Sequence, residues 1–223
     1  MKWIHDFQLF LFDFDGLLVN TEHLHYQAYV NALAARGIDL GWSFQRFCEL
    51  AHLNANGLKE AIWEAKPELA SIWPTIYAEK TKGYIDLLGT GKVELMPGVA
   101  KLLEELDRAE IRRCVVTHSL RRYVEAIRAQ NKALQSIPHW ITREDYEQPK
   151  PNPECYLRAI QLYGKTGDRI IGFEDSIRGL QALSQTPALP VLVCSAHHPL
   201  LEMASERAVH FESLEDISID KLA

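Results

Sequence analysis

The stretch from Leu9 to Glu22, LFLFDFDGLLVNTE, decides how the rest of the chain is read. Leu9-Phe10-Leu11-Phe12 is a continuous apolar run, the pattern of a strand buried on both faces in a parallel sheet. It ends in Asp13-Phe14-Asp15-Gly16, which sets two acids one residue apart. Like charges this close repel, so the pair needs a compensating charge. Asp15-Gly16 could open a hairpin, but the following LLVNTEHLHYQAY reads as loop then helix, not as a returning strand. Asp13-x-Asp15 could open a calcium loop, but the later ligand positions of that loop are missing.

Working outward, three more apolar and β-branched runs read as buried strands. They are RRCVVT ending at Thr117, RIIGF ending near Phe173 and PVLVC ending at Cys194. Between and around them, GVAKLLEELDRAE, LRRYVEAIRAQ, NPECYLRAIQLYG and DSIRGLQALSQ repeat apolar residues at spacings of three and four. Strands alternating with helices predict an α/β fold, a Rossmann-like three-layer core around a central parallel sheet. The segment after the first strand differs. HLHYQAYVNALAARG, WSFQRFCELAH, NGLKEAIWEAK and WPTIYAEKTKGYIDLLG all read as helices, punctuated by Gly37, Pro67 and Gly89. The expected organisation is a core of residues 1–19 and 92–223 with an α-helical insert at 20–91, in which Trp63 and Trp73 serve as core. GTGKVELMPGV reads as the return crossing.

Composition narrows the function. The chain has 223 residues, 47% hydrophobic and 24% charged, with a formal net charge of −6. That charge argues against nucleic acid as a partner. Arg112-Arg113 and Arg121-Arg122 read as solvated element ends. Four cysteines, Cys48, Cys114, Cys155 and Cys194, form no C-x-x-C pair. Cys114 and Cys194 read as small buried hydrophobes, as in a reducing compartment. The start, MKWIHDFQLF, has no signal-peptide pattern, and no apolar run approaches the ~18 residues of a membrane span. The expectation is a cytoplasmic, monomeric protein without membrane contact.

Ligands of open parallel sheets bind beyond the carboxyl ends of the strands. There the sequence sets Asp13 and Asp15, then Thr117-His118-Ser119, then Glu174-Asp175-Ser176, with Lys150 between two prolines just before a helix. Glu174-Asp175 also reads as a helix N-cap pair. Four acids sharing one edge require a cation. Oxygen donors without Cys or paired His select magnesium over zinc. A lysine and small hydroxyls beside magnesium suit phosphate oxygens. One carboxylate could then act as nucleophile and its neighbour as acid and base.

These residues resemble a known family. FDFDGLLVNTE, VVTHS, KPNPE and GFEDS are similar, in order and interval, to the four motifs of the haloacid dehalogenase superfamily, in the subgroup of β-phosphoglucomutase and small phosphatases. The resemblance spans nearly the whole chain. It implies that Asp13 attacks phosphorus and binds Mg²⁺, and that Asp15 is the general acid/base and offers a backbone carbonyl to the metal. Thr117 and Lys150 would hold the transferring phosphoryl group, and Lys150 would screen Asp13. Asp175, with Glu174 beside it, would complete the metal shell. Ser119 and His118 would contact phosphate or substrate. The helical insert corresponds to the family's cap.

Within the cap, His25 and Lys80 stand where β-phosphoglucomutase has a histidine and a lysine. The bland alternatives are a packed helix-face residue for His25 and a solvated charge for Lys80. The mutase's cap arginine, in a Gly-x-Ser-Arg turn, has no counterpart; His52, Asn54 and Asn56 stand in that region instead. Ser184-Gln185 replaces a small pair common in the family. The resemblance therefore implies first a Mg²⁺-dependent phosphatase of a small phosphorylated metabolite, working through an aspartyl-phosphate. A sugar-phosphate mutase is the alternative, and a non-catalytic phosphate-binding module comes after it. A metal-free dehalogenase is opposed by the presence of Asp15.

Overall fold

The apolar run that opens the sequence becomes β1 (Leu9–Phe12), the centre of a parallel sheet. The computed structural model describes residues 1–53, 56–198, 201–204 and 207–222. Among these, β2 (Arg112–Val116), β3 (His139–Ile141), β4 (Ile170–Glu174), β5 (Leu189–Val193) and β6 (Val209–Phe211) join β1 in the order β3-β2-β1-β4-β5-β6, every pair parallel. All four residues of β1 and all five of β4 are buried, which is why neither alternates polar with apolar. The four strands expected from sequence lie at the centre. The two that sequence reading missed, β3 and β6, are three-residue edge strands carrying His139 and His210.

Helices cover both faces. On one lie α5 (Val99–Arg108), α6 (Arg121–Gln130) and the short α7 (Lys132–Gln135). On the other lie α8 (Glu154–Tyr163) and α9 (Ile177–Ser184). In α5 the buried residues are Val99, Leu102, Leu103 and Leu106, the i, i+3, i+4, i+7 stripe that packs a helix on a sheet. One apolar cluster joins α5 and α6 to Phe10, Phe12 and Phe173 beneath them. A second packs Cys155, Tyr156 and Ala159 of α8 against Leu9, Leu11 and Cys114. Cys194, expected as buried, lies just past β5 and is half-buried.

Between β1 and α5 the named elements among the described residues are helices: α1 (Glu22–Ala34), α2 (Phe44–Leu53), α3 (Gly57–Ala65) and α4 (Trp73–Thr90), with a 3-10 turn at Pro67–Ile72. Gly89 does not end α4, which runs on to Thr90. The exit and return strands of this insert touch. Val19 and Leu95 form an antiparallel bridge, and Met96 N–H donates to Leu18 C=O at 3.0 Å. Leu33, Ile62, Leu69 and Ile76 give the insert an apolar cluster of its own, with Trp73 packed on it. Trp63 meets Trp73 edge-on at 6.0 Å. No helix among the described residues is long and apolar enough to cross a membrane.

Candidate active site

The carboxyl ends of the two central strands and of β2 carry the polar residues singled out above. Asp13 N–H donates to Phe173 C=O at 3.0 Å, and Thr117 N–H donates to Ile141 C=O at 2.9 Å. The ladder thus holds the backbone of both residues one step beyond their strands. Gly16 then turns the chain at φ +81°, and a Cβ there would lie 2.1 Å from Asp175 Oδ2. Only glycine fits, for both reasons.

Lys150 is the hub. Its Nζ lies 2.5 Å from Asp13 Oδ1, 2.6 Å from Glu174 Oε1 and 3.0 Å from Val116 C=O. Tyr156 donates its hydroxyl to the same Glu174 oxygen at 2.5 Å. The Glu174 side chain is fully buried beneath the cavity floor, where an unpaired charge would be costly. Burial pulls against the Lys150 ammonium, but Asp13 and Glu174 more than compensate and hold its proton far more firmly than usual. Burial likewise pushes the Asp13 carboxyl up to about 7 against the pull of Lys150, with Glu174 adding to the rise. Burial, then Asp13, Glu22 and Glu174, raise Asp175 well above the carboxylate range. One lysine thus leaves an excess of negative charge.

A divalent cation would relieve that excess. One oxygen from each of Asp13, Glu174 and Asp175 falls within a 4.8 Å cluster. The set is all carboxylate, without sulfur or imidazole, and fits magnesium. Glu22, His52 and Asp175 form a second cluster within the same limit. There His52 Nε2 makes a short hydrogen bond to Glu22.

Asp15 sits apart from the lysine. Thr21 Oγ donates to its Oδ1 at 2.6 Å and Ser119 Oγ to its Oδ2 at 2.5 Å, with Thr117 Oγ1 at 3.5 Å. The resemblance assigned Thr117 and Ser119 to phosphate; in the structure their hydroxyls lie on Asp15, whose buried charge demands donors. Burial would raise the Asp15 carboxyl, but His25, Ser119 and Thr21 override it and hold it at about 2. His25 Nε2 lies 3.8 Å from Asp15 Oδ1. Its Nδ1 receives Lys80 Nζ at 2.8 Å, so the ring hydrogen is on Nε2, facing Asp15. The ring also stacks on Tyr84 at 3.9 Å, so His25 both packs and reaches the site. Lys80 is not a solvated charge. It is 6% exposed, and burial lowers its ammonium to about 8.

These groups line one cavity of about 390 Å³ between insert and sheet. Asp13, Asp15, Thr117, His118, Ser119, Lys150 and Asp175 come from the core and His25 and Lys80 from the insert; Glu174 lies behind the wall. His52 and Asn56 also line it, while Asn54 lies outside the described residues. Trp73, expected as core, does both: it packs in the insert and faces the cavity. Sequence reading passed over Glu22, Lys59 and Arg178, which line the same space. For Arg178 a signal existed: it is a cation in the first turn of α9, the helix end that disfavours positive charge. Gln185, at the departure from the family pattern, donates to Pro151 C=O at 2.9 Å beside Lys150.

A parallel sheet with this crossing order, a helical insert after β1 and a lysine joining carboxylates of two strands define a class of phosphate-handling α/β hydrolases. The chain belongs to the haloacid dehalogenase-like hydrolase family, which it matches over residues 7–185. It is 34% identical over 179 residues to "Protein CbbY" of Rhodobacter capsulatus, covering 76% of this chain and 78% of that protein. It is 25% identical to "Validoxylamine A 7'-phosphate phosphatase" of Streptomyces hygroscopicus subsp. limoneus, covering 95% of this chain and 96% of that one. The crystal structure of CbbY from Rhodobacter sphaeroides in complex with phosphate superposes with a TM-score of 0.76 at 26% identity, covering 94% of this chain and 96% of that one.

Proposed function

We propose that the protein is a Mg²⁺-dependent phosphatase of a small phosphorylated metabolite, with residues 20–91 acting as a cap over a core of 1–19 and 92–223. The observation that carries this reading is the junction of Asp13, Lys150 and Glu174, with Asp175 beside it, at the floor of a cavity. A cavity of about 390 Å³ suits a metabolite rather than a polymer. The phosphate-bound relative and the phosphatase-named relative support a phosphorylated ligand.

In this reading Asp13 Oδ2, the oxygen not held by Lys150, attacks phosphorus. Asp15, ionised in the free site, would take a proton from the singly protonated phosphate ester as it binds; the ester P–O bond then breaks and that proton goes to the leaving oxygen. Water then attacks the aspartyl-phosphate, Asp15 takes its proton, and the Asp13–phosphorus bond breaks to release phosphate. Asp13, Asp175 and Glu174, with the Asp15 backbone carbonyl, would hold Mg²⁺, which when bound supplies positive charge to the phosphoryl oxygens. Lys150 keeps Asp13 oriented and remains charged throughout. His25, steadied by Lys80, hands its Nε2–H towards Asp15 and favours the carboxylate when the proton has left.

The test is release of inorganic phosphate from p-nitrophenyl phosphate and a metabolite panel. Turnover should require Mg²⁺ and fall at least about 10³-fold in Asp13→Asn, the order expected when a nucleophile is removed. An Asp13→Asn enzyme with wild-type rate would refute the reading. The Lys80–His25–Asp15 chain also suits a phosphoryl-transfer mutase. Conversion of β-glucose 1-phosphate primed by its bisphosphate, without phosphate release, would favour that second reading.

A further inference from the structure

The basic side chains on the cavity wall divide into two sets. Lys150 is tied to Asp13 and Glu174, Lys80 to His25, and His52 to Glu22. Arg178 and Lys59 have no such partner. Among the described residues no carboxylate pairs with either, and the only contact of the Lys59 ammonium is the face of Trp63 at 5.0 Å. Arg178 Nε is shut off from solvent and has no hydrogen-bond partner. A buried guanidinium N–H left unsatisfied is costly. The position adds to the cost. Arg178 is the second residue of α9, no acid stands in that first turn, and the helix dipole there opposes a cation. The same charge helps Lys150 and Arg143 disfavour the protonated form of His118. In a chain of net charge −6, where thirty acids are available to pair twenty-four bases, two unpaired cations in one cavity call for a ligand.

The transferring phosphoryl group is not that ligand, because the floor around Asp13 already supplies Lys150 and a metal site for it. We infer that Arg178, from the core, and Lys59, from the insert, receive a second anionic group of the substrate, a carboxylate or a phosphate. This rests on the phosphatase reading and narrows it to substrates carrying an acidic group besides the scissile phosphate. It also answers the absence of an arginine in the cap turn around Asn56: the cation is provided from α9 instead. Because Arg178 and Lys59 come from different parts of the chain, a substrate with a second acidic group ties insert to core, whereas one with the scissile phosphate alone does not. Arginine suits the role, since its planar fork meets carboxylate or phosphate through two parallel N–H···O bonds.

The experiment compares substrates matched except for the second anion: ethyl phosphate with 2-phosphoglycolate, and β-glucose 1-phosphate with β-glucose 1,6-bisphosphate. The readout is the ratio of kcat/KM within each pair, for wild type, Arg178→Gln, Arg178→Lys and Lys59→Gln. In at least one pair wild type should prefer the member with the second acidic group by about 10- to 100-fold, the scale of a charge-assisted hydrogen-bonded pair. Which pair shows the preference tells carboxylate from phosphate. Arg178→Gln should collapse the ratio towards one, Arg178→Lys should restore part of it, and Lys59→Gln should reduce it. A ratio unchanged in Arg178→Gln, or a wild type with no preference in either pair, overturns the inference. Calorimetric binding of the same compounds to Asp13→Asn, with and without Arg178→Gln, separates the two claims. A binding difference that survives Arg178→Gln, or that is absent from Asp13→Asn itself, sinks this inference; retained binding with no turnover of any substrate by wild type sinks the phosphatase reading alone.

Discussion

At the scale of single residues, His118 shows how a neighbour fixes a protonation state. Tyr146 has one hydroxyl hydrogen and donates it to Thr117 C=O at 3.1 Å. The 3.1 Å contact between Tyr146 and His118 Nδ1 must then be donated by the histidine, which leaves Nε2 as a free acceptor. Burial, then the charges of Arg178, Lys150 and Arg143, push His118 down to about 3. Its folded-state value lies below the unfolded value near 6.5, so the folded state binds fewer protons between the two. Stability from this group is complete above about pH 6.5 and is lost as pH falls towards 3. His118→Asn should therefore remove up to one proton's worth of slope, about 1.4 kcal/mol per pH unit, from the acid limb of the stability profile. Urea denaturation of both proteins at pH 4 to 7 measures it. Parallel profiles would show that His118 titrates as in the unfolded chain.

At the scale of elements, α9 on β4 is where packing and chemistry meet. Gly179 lies one turn into α9, and a Cβ there would come within 2.0–2.2 Å of the Glu174 carboxylate. Ala is the better helix former by about 0.5–1 kcal/mol. Forcing it into a filled space costs about 1–3 kcal/mol. It also drives Glu174 off Lys150 and Tyr156, so the clash wins. Gly179→Ala should lower stability and abolish Mg²⁺-dependent turnover together. Gly83, half-buried in the middle of α4, would present a Cβ to open space, with nothing within 4 Å. Gly83→Ala should instead stabilise by up to about 1 kcal/mol. Thermal denaturation of the two variants checks both signs, and a stabilised Gly179→Ala would refute the account.

The same elements show what the sequence made legible. The apolar runs of β1, β2, β4 and β5 were visible because burial on both faces leaves no polar residue to confuse the pattern. Three residues with a histidine among them, as in β3 and β6, contain no period to read. The motif carboxylates were legible because strand ends collect them, and Lys150 because it stands between two prolines before a helix. Arg178 offered only the weak signal of a cation in a first turn, because its meaning lies in partners it lacks, and those are visible only once the fold is built. For the same reason the attachment of Thr117 and Ser119 to Asp15 came from geometry and not from motif order.

At the scale of the whole molecule, the insert divides mechanically. Tyr84, Leu88 and Ala28, from α4 and α1, belong to the same buried cluster as Phe10 and Phe12 under the sheet. Those parts of the insert are continuous with the core. The cluster of Leu33, Ile62, Leu69 and Ile76 is separate from it. On the open side His52 joins α2 both to the core, by stacking on His198 at 5.7 Å with the rings 7° from parallel, and to the start of α1, by its bond to Glu22. A single clip of this kind holds less than a shared apolar cluster. Opening of the cavity should therefore begin at α2, because the cluster of Leu33, Ile62 and Ile76 holds α3 to the anchored α1–α4 pair. Removing the clip in His52→Ala should speed amide hydrogen exchange in α2 while β1, β2, β4 and the second half of α4 keep wild-type protection. It should also raise KM more than it lowers kcat, since substrate must then hold the insert down unaided. Faster exchange throughout α1 and α4 as well would mean that the insert moves as one rigid body. No change anywhere would mean that the His52–Glu22–His198 contact does not hold the cavity closed.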